Sequence, residues 1–273
     1  MNEQNTRIAF IGGGNMASAI IGGLIQQGLP ASQVTVVEPF AEARTRLKQQ
    51  FGVAAEEHAG PALAAAGLVV WAVKPQTFKE AAAQARAHVA QALQLSVAAG
   101  IRSDSIASWL GTERIVRCMP NTPALVGKGM TGLYARPAVS GDDKARVEQV
   151  IATTGEHLWV AQERHLDAVT ALSGSGPAYV FYFLEAMTQA GSEMGLDPQQ
   201  ARRLAVGTFA GASELARASS EPLQTLRERV TSKGGTTHAA LTSLEQDQVK
   251  AAFVKALHAA CKRAEELGEE FGK

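Results

Sequence analysis

One short segment constrains the fold more than any other. The apolar run Ile8-Ala9-Phe10-Ile11 leads directly into Gly12-Gly13-Gly14-Asn15-Met16-Ala17. This is a GxGxxA pattern between a strand and a helix, the sequence form of a dinucleotide-binding turn. Gly12 permits the tight turn, and Gly14 lets backbone approach a pyrophosphate. Ala17 is small enough for helix and strand to pack closely. Free N–H groups at the helix start, aided by the helix dipole, then face the phosphates. The glycines alone are a weak signal; the flanking strand, helix and next strand make them specific.

The surrounding sequence is the kind such a turn needs. Arg7–Ile11, Gln33–Glu38, Leu68–Val73, Leu93–Ala98 and Arg114–Met119 are short apolar runs. Helix-forming stretches separate them: Asn15–Gln27, Ala41–Gln50, Phe78–Ala92 and Ser103–Leu110. Continuous apolar strands alternating with helices predict a parallel sheet covered on both faces. Gly129–Ala135 and His157–Val160 read as two edge strands, with Asp142–Thr154 a helix between them. Beyond residue 163 the strand signal stops. Leu166–Leu172, Ala178–Gly195, Pro198–Arg217 and Gln246–Leu267 carry helical spacing, and Asp197-Pro198 is a helix start. The expectation is an α/β doubly wound dinucleotide-binding domain over residues 1–163, then an all-α domain over 164–273. The helices are Ala-rich and short of large core residues, which predicts burial against a second subunit.

Other classes are disfavoured. The 26 basic and 26 acidic residues divide almost evenly, with 14 and 13 in residues 1–163 and 12 and 13 in residues 164–273. Neither part has the basic excess of a nucleic-acid binder. Cys118 and Cys261 stand far apart, and no CxxC, HxH or HExxH spacing occurs; a disulfide scaffold and the common zinc sites are not expected. The polar start, Met1 to Arg7, lacks a basic-then-apolar leader, and Leu68–Val73 is too short to span a bilayer. The expected location is the cytoplasm, with no membrane partner.

Further cofactor contacts fall at the C-terminal ends of the strands, where open α/β sheets bind ligands. Glu38 ends the second strand, where an acidic residue takes the adenosine ribose hydroxyls and repels a 2′-phosphate. Arg44 and Arg46, just beyond, would pair with such a phosphate or form a solvated helix face. Ala72-Val73-Lys74-Pro75 ends the central strand with an out-of-pattern lysine, and Ala98-Ala99-Gly100 closes the next with small residues.

Taken together, these segments resemble the pyrroline-5-carboxylate reductase family. The resemblance rests on Phe10–Ala17, Ala72–Pro75, Ala98–Gly100, Arg117–Pro123, Leu172–Tyr179 and Pro222–Leu244. The last contains Ser232-Lys233-Gly234-Gly235-Thr236-Thr237; the family often has Pro where Lys233 stands. The resemblance covers essentially the whole chain and implies reduction of L-1-pyrroline-5-carboxylate to L-proline with NADPH or NADH. It also implies a Rossmann domain, a helical dimerisation domain, an active site involving the partner subunit, and dimers that assemble further into rings.

The residues suit that chemistry. A small cyclic imine with one carboxylate needs an anion cradle and an oriented nitrogen. Gly234, Gly235, Thr236 and Thr237 open a helix expected over Thr237–Leu244, and its N–H groups would hold the carboxylate, with Ser232 beside them. Alternatively the threonines only cap the helix. The Thr237 hydroxyl is the candidate to orient the imine nitrogen, or else a cap. Glu163 matches a family position for an acidic group near the substrate; the plain alternative is a surface glutamate. Asn121 would orient the nicotinamide region. A β-hydroxyacid-type dehydrogenase would need a helix lysine, yet no lysine occurs between Lys144 and Lys233. A non-catalytic dinucleotide-sensing module would need no carboxylate cradle. A serine hydrolase is weaker still, because Ser175 does not lie in GxSxG.

Overall fold

The computed structural model describes residues 7–272. The reading of the first residues as lacking a leader concerns a segment that, but for Arg7, lies outside them. The chain divides into two compact units. One runs to Ser175 and takes up the chain again from Ala260; the other is Gly176–Ala259.

The first unit is built on one eight-stranded sheet. Its strands are β1 (Ile8–Ile11), β2 (Val34–Val37), β3 (Ala55–Glu56), β4 (Leu68–Trp71), β5 (Leu93–Ser96), β6 (Ile115–Met119), β7 (Gly129–Ala135) and β8 (Gly155–Trp159), in the order β3-β2-β1-β4-β5-β6-β7-β8. From β3 to β6 all pairs are parallel. Side chains alternate between two cores, which is why these strands read as unbroken apolar runs. Phe10, Val70 and Leu95 join α1 (Asn15–Gln26), α2 (Ala41–Phe51) and α5 (Gly141–Ile151) on one face. Ile11, Val69 and Trp71 join α3 (Pro75–Val89) and α4 (Ser103–Leu110) on the other. This is a Rossmann-like, doubly wound sheet.

Three features depart from the sequence expectation. The pair β6–β7 is antiparallel: residues 120–128 between them are too few for the crossover a parallel pair needs. The two-residue β3 is an additional edge strand. The boundary expected at 163/164 also differs from that of the compact units. Beyond Glu163, α6 (His165–Val169) and the π-turn Thr170–Gly174 stay with the sheet, with Leu166, Asp167 and Ala171 buried. The chain then returns through the last turns of α11 (Val249–Phe271). There Leu267 and Phe271 pack over Gly100, and Ser105 donates to the carbonyl of Gly272 at 2.9 Å.

The second unit is helical: α7 (Gly176–Glu193), α8 (Pro198–Ala218), α9 (Leu223–Arg229), α10 (Thr236–Gln246) and the start of α11. Asp197 caps α8 in a reciprocal capping box with Gln200, followed by Pro198 at the first helical position. Gly191 lets α7 approach α8, since a Cβ there would lie 2.8 Å from that of Ala201. Tyr179 and Phe183 meet Phe253 edge-on. Many large apolar side chains of this unit are nevertheless exposed, including Phe181, Tyr182, Leu204, Leu215 and Val230. Among the described residues, no helix is long and apolar enough to cross a membrane.

Candidate active site

The parallel strands bring four of the motif segments to one edge. Chain order reverses between β1 and β4, and ligands bind in the crevice at such a reversal. Ile11 is buried at the end of β1. Gly12 follows with φ +96°, its N–H donating to the carbonyl of Val37 at 2.8 Å. A Cβ on Gly12 would lie 2.6 Å from the Ala72 carbonyl oxygen, and one on Gly13 2.7 Å from Leu47. Gly14 differs from both. It is exposed and extended, and a Cβ there would have no neighbour within 4 Å. It is the N-cap of α1 and leaves that helix start without a side-chain cap, next to exposed Asn15. Met16 packs against the core, and Ala17 is fully buried against the sheet. Open space over uncapped N–H groups is the arrangement that holds a pyrophosphate, so the loop fits a dinucleotide.

Glu38 is almost buried beside this loop. Its Oε2 accepts from Gly13 N–H at 2.7 Å and its Oε1 from Phe40 N–H at 2.9 Å. Arg44 donates to the carbonyls of Glu38 and Pro39 and to Glu57. Ala72 and Val73 are half-buried; Lys74 is exposed and is the N-cap of α3, with Pro75 at its first position. Ala98 is buried and Ala99 half-buried, but the space beside Gly100 is filled by Leu267 and Phe271 rather than left open.

Two candidates are engaged within the protein. The Asn121 amide donates to Ser173 O and Oγ at 3.1 and 3.2 Å, and its oxygen accepts from Met130 N–H at 2.9 Å. The side chain thus ties the loop after β6 to β7 and to the π-turn. Glu163 is half-buried, not a plain surface group. Its Oε1 accepts from Ser103 N–H and from Arg117 Nη1, and its Oε2 from Ser103 Oγ, all at 2.6 Å. It caps the start of α4 and pairs with a guanidinium buried within the sheet. Burial pushes the Glu163 carboxyl up, but the Arg117 charge and the Ser103 bonds outweigh it and hold the carboxyl below its usual range. Arg117, Ser103 and Ser173 escaped the sequence reading. The one signal was a lone arginine within the apolar run of β6.

This pairing has a measurable consequence. Glu163→Ala leaves Arg117 buried and unpaired, which costs about 3 kcal/mol at neutral pH. A carboxyl whose folded pKa is depressed stabilises the fold above its unfolded value of 4.5. That contribution disappears as pH falls through the folded value. The gap in urea midpoint between wild type and variant should therefore be full at pH 7 and shrink below about pH 4.5. A gap that stays constant across that range rejects the assignment.

The remaining substrate candidates lie on the second unit. Ser232 to Gly235 form a tight turn closed by Gly235 N–H donating to the Ser232 carbonyl at 3.0 Å. Gly234 has φ +74°, and a Cβ on Gly235 would lie 2.6 Å from Ser232 Oγ. Lys233 occupies the second turn position, which proline suits but does not monopolise. Helix α10 begins at Thr236, one residue before the expected start, and Gly235 is its N-cap with no side-chain cap bond. The cap alternative for Thr236 and Thr237 is therefore corrected: both lie inside the first turn, where a side chain no longer stands at the cap position. Gly234 and Thr236 are exposed and Thr237 half-buried. The result is a glycine-lined helix start with free N–H groups.

Two family models match separate stretches of the chain. Residues 163–267 match the family described as pyrroline-5-carboxylate reductase dimerisation. Residues 7–100 match that of NADP oxidoreductase, coenzyme F420-dependent. A pyrroline-5-carboxylate reductase of Pseudomonas aeruginosa is 46% identical, covering 98% of each chain. A solved pyrroline-5-carboxylate reductase of Coxiella burnetii superimposes with a TM-score of 0.90 at 38% identity, covering 96% of this chain and 99% of that one. A Plasmodium falciparum pyrroline carboxylate reductase, solved with NADP bound, gives 0.86 at 29% identity, covering 97% and 99%. With identity this high along nearly its full length, the chain belongs to the pyrroline-5-carboxylate reductase family.

Proposed function

We propose that the protein reduces the C=N bond of L-1-pyrroline-5-carboxylate to give L-proline, the last step of proline biosynthesis. The full-length match to reductases of this name carries the reading. The uncapped glycine loop at Gly14 supports it, because it fits the dinucleotide the reaction needs. When bound, NADPH or NADH supplies the hydride. The residues of the chain do the rest. Free N–H groups at Thr236 and Thr237 hold the substrate carboxylate at the start of α10, while that of Gly235 is spent on the Ser232 carbonyl. The Thr237 hydroxyl orients the ring nitrogen as its charge is lost. Asn121 and Glu163 act from behind, fixing the loop after β6 and the start of α4. Lys74, exposed at the edge of the sheet, faces the cofactor in this reading.

The oligomer is part of the same reading. The exposed apolar faces of the helical unit are subunit contacts, in dimers that assemble further into rings, and the enzyme works in the cytoplasm. Light scattering on the eluted protein should give a dimer or a whole-number multiple of it; a monomer at micromolar concentration rejects the subunit contact. The reaction is tested by following NADPH and NADH oxidation with pyrroline-5-carboxylate beside a panel of keto acids. Turnover with the imine alone is expected. Oxidation with keto acids but not with the imine rejects the reading.

A further inference from the structure

We infer that Glu38 makes this reductase select NADH over NADPH. The inference deepens the cofactor part of the reading above. The two dinucleotides differ only at the adenosine 2′ position, and Glu38 ends the strand that faces it in sheets of this kind. Its carboxylate is not a mobile surface group. With the residue 6% exposed, its two oxygens are fixed by the N–H groups of Gly13 and Phe40. A carboxylate has about four acceptor sites. Those two bonds leave two for the 2′- and 3′-hydroxyls of NADH, both donors. The 2′-phosphate of NADPH brings no donor of that kind and about two negative charges.

A cation could cancel that repulsion, and among the described residues none pairs with this carboxylate. Arg44 is the nearest in sequence. It is turned toward the Glu38 and Pro39 carbonyls and held by Glu57 at 3.0 Å. Arg46 stands on another side of α2, lining a cavity with Gly22, Gln26 and Gln50 of α1 and α2. The end of β3 adds Glu56 and Glu57 to the same edge; Glu38 N–H donates to the Glu56 carbonyl at 2.8 Å. The surroundings of the 2′ position thus accept hydroxyls and oppose a phosphate.

The test is direct binding, independent of turnover. Calorimetric titration of the intact protein with NADH and with NADPH should give at least about tenfold tighter binding of NADH, the size of effect one opposed charge produces. Glu38→Gln should narrow the gap mainly by improving NADPH. Glu38→Ser, which removes the carboxylate altogether, should narrow it further. Equal affinities in the wild type, or tighter NADPH, overturn the inference, as does a ratio unmoved in both variants. The wild-type ratio decides even if a variant fails to fold. Binding of neither nucleotide overturns this inference and the dinucleotide site together. Normal NADH selectivity without reduction of the imine supports Glu38 and rejects only the substrate.

Discussion

Gly14→Val should give a folded protein that no longer binds either dinucleotide. The backbone at Gly14 is extended, with φ −72° and ψ −167°, a conformation valine adopts freely. A Cβ there meets nothing within 4 Å, so the side chain enters open space and displaces no packing. The fold loses only some of the advantage of glycine at a helix N-cap, about 1 kcal/mol. The cofactor loses much more, because the isopropyl group occupies the approach to the free N–H groups of α1. Two charge-assisted hydrogen bonds are worth about 3–6 kcal/mol together, so affinity should fall on the order of a hundredfold or more. Circular dichroism and nucleotide titration read the two effects separately. A well-folded variant that binds normally would show that the phosphates lie elsewhere. The neighbouring glycines cannot serve for this test. A side chain at Gly12 or Gly13 would strike Ala72 or Leu47 and disturb the fold itself.

The second large effect is expected at Thr237. Thr237→Ala should lower kcat by on the order of ten- to a thousand-fold, the usual loss when one positioned hydrogen bond to a transition state is removed. Cofactor affinity should not change. Because Gly235, and not a threonine, caps α10, the same substitution should leave the melting temperature nearly unchanged. Thr237→Ser keeps the hydroxyl and should stay near wild type. An alanine variant with undiminished kcat rejects the role. The backbone cradle would survive that result, since its N–H groups do not depend on the side chain.

Much of this was legible in the sequence because it is written locally. The strands of the sheet are buried on both faces, so they appear as unbroken apolar runs. The glycine loop is a contiguous motif whose conformation follows from missing side chains. Features that depend on distant partners were not legible. Nothing in the neighbourhood of Glu163 indicates that it meets Arg117, 46 residues away. Asn121 stands in a conspicuous motif, yet its amide is spent on Ser173 and Met130. Gly100 looked like room for a cofactor, but it is room for α11. The direction of β7 depended on the length of a connection rather than on any residue in the strand. Two elements were too short for a period to emerge: β3, with two residues, and α9, with seven.

The return of the chain at Ala260 bears on how the protein is made. The cofactor-binding unit is interrupted by the whole of residues 176–259 and completed by the end of α11. During synthesis, residues up to Ser175 leave the ribosome well before Leu267 and Phe271, which cover Gly100. Arg102 already has Asp167 by then, at 2.9 Å, but not Gly268, whose lack of a side chain leaves room for its guanidinium. The nascent sheet must therefore persist with an uncovered patch beside β5 while the helical insertion is translated. Its maturation cannot be strictly vectorial, and the cost of closing so long an insertion rises only slowly with its length. A stalled chain ending before Ala260 should be more open to protease near Gly100 than the released protein.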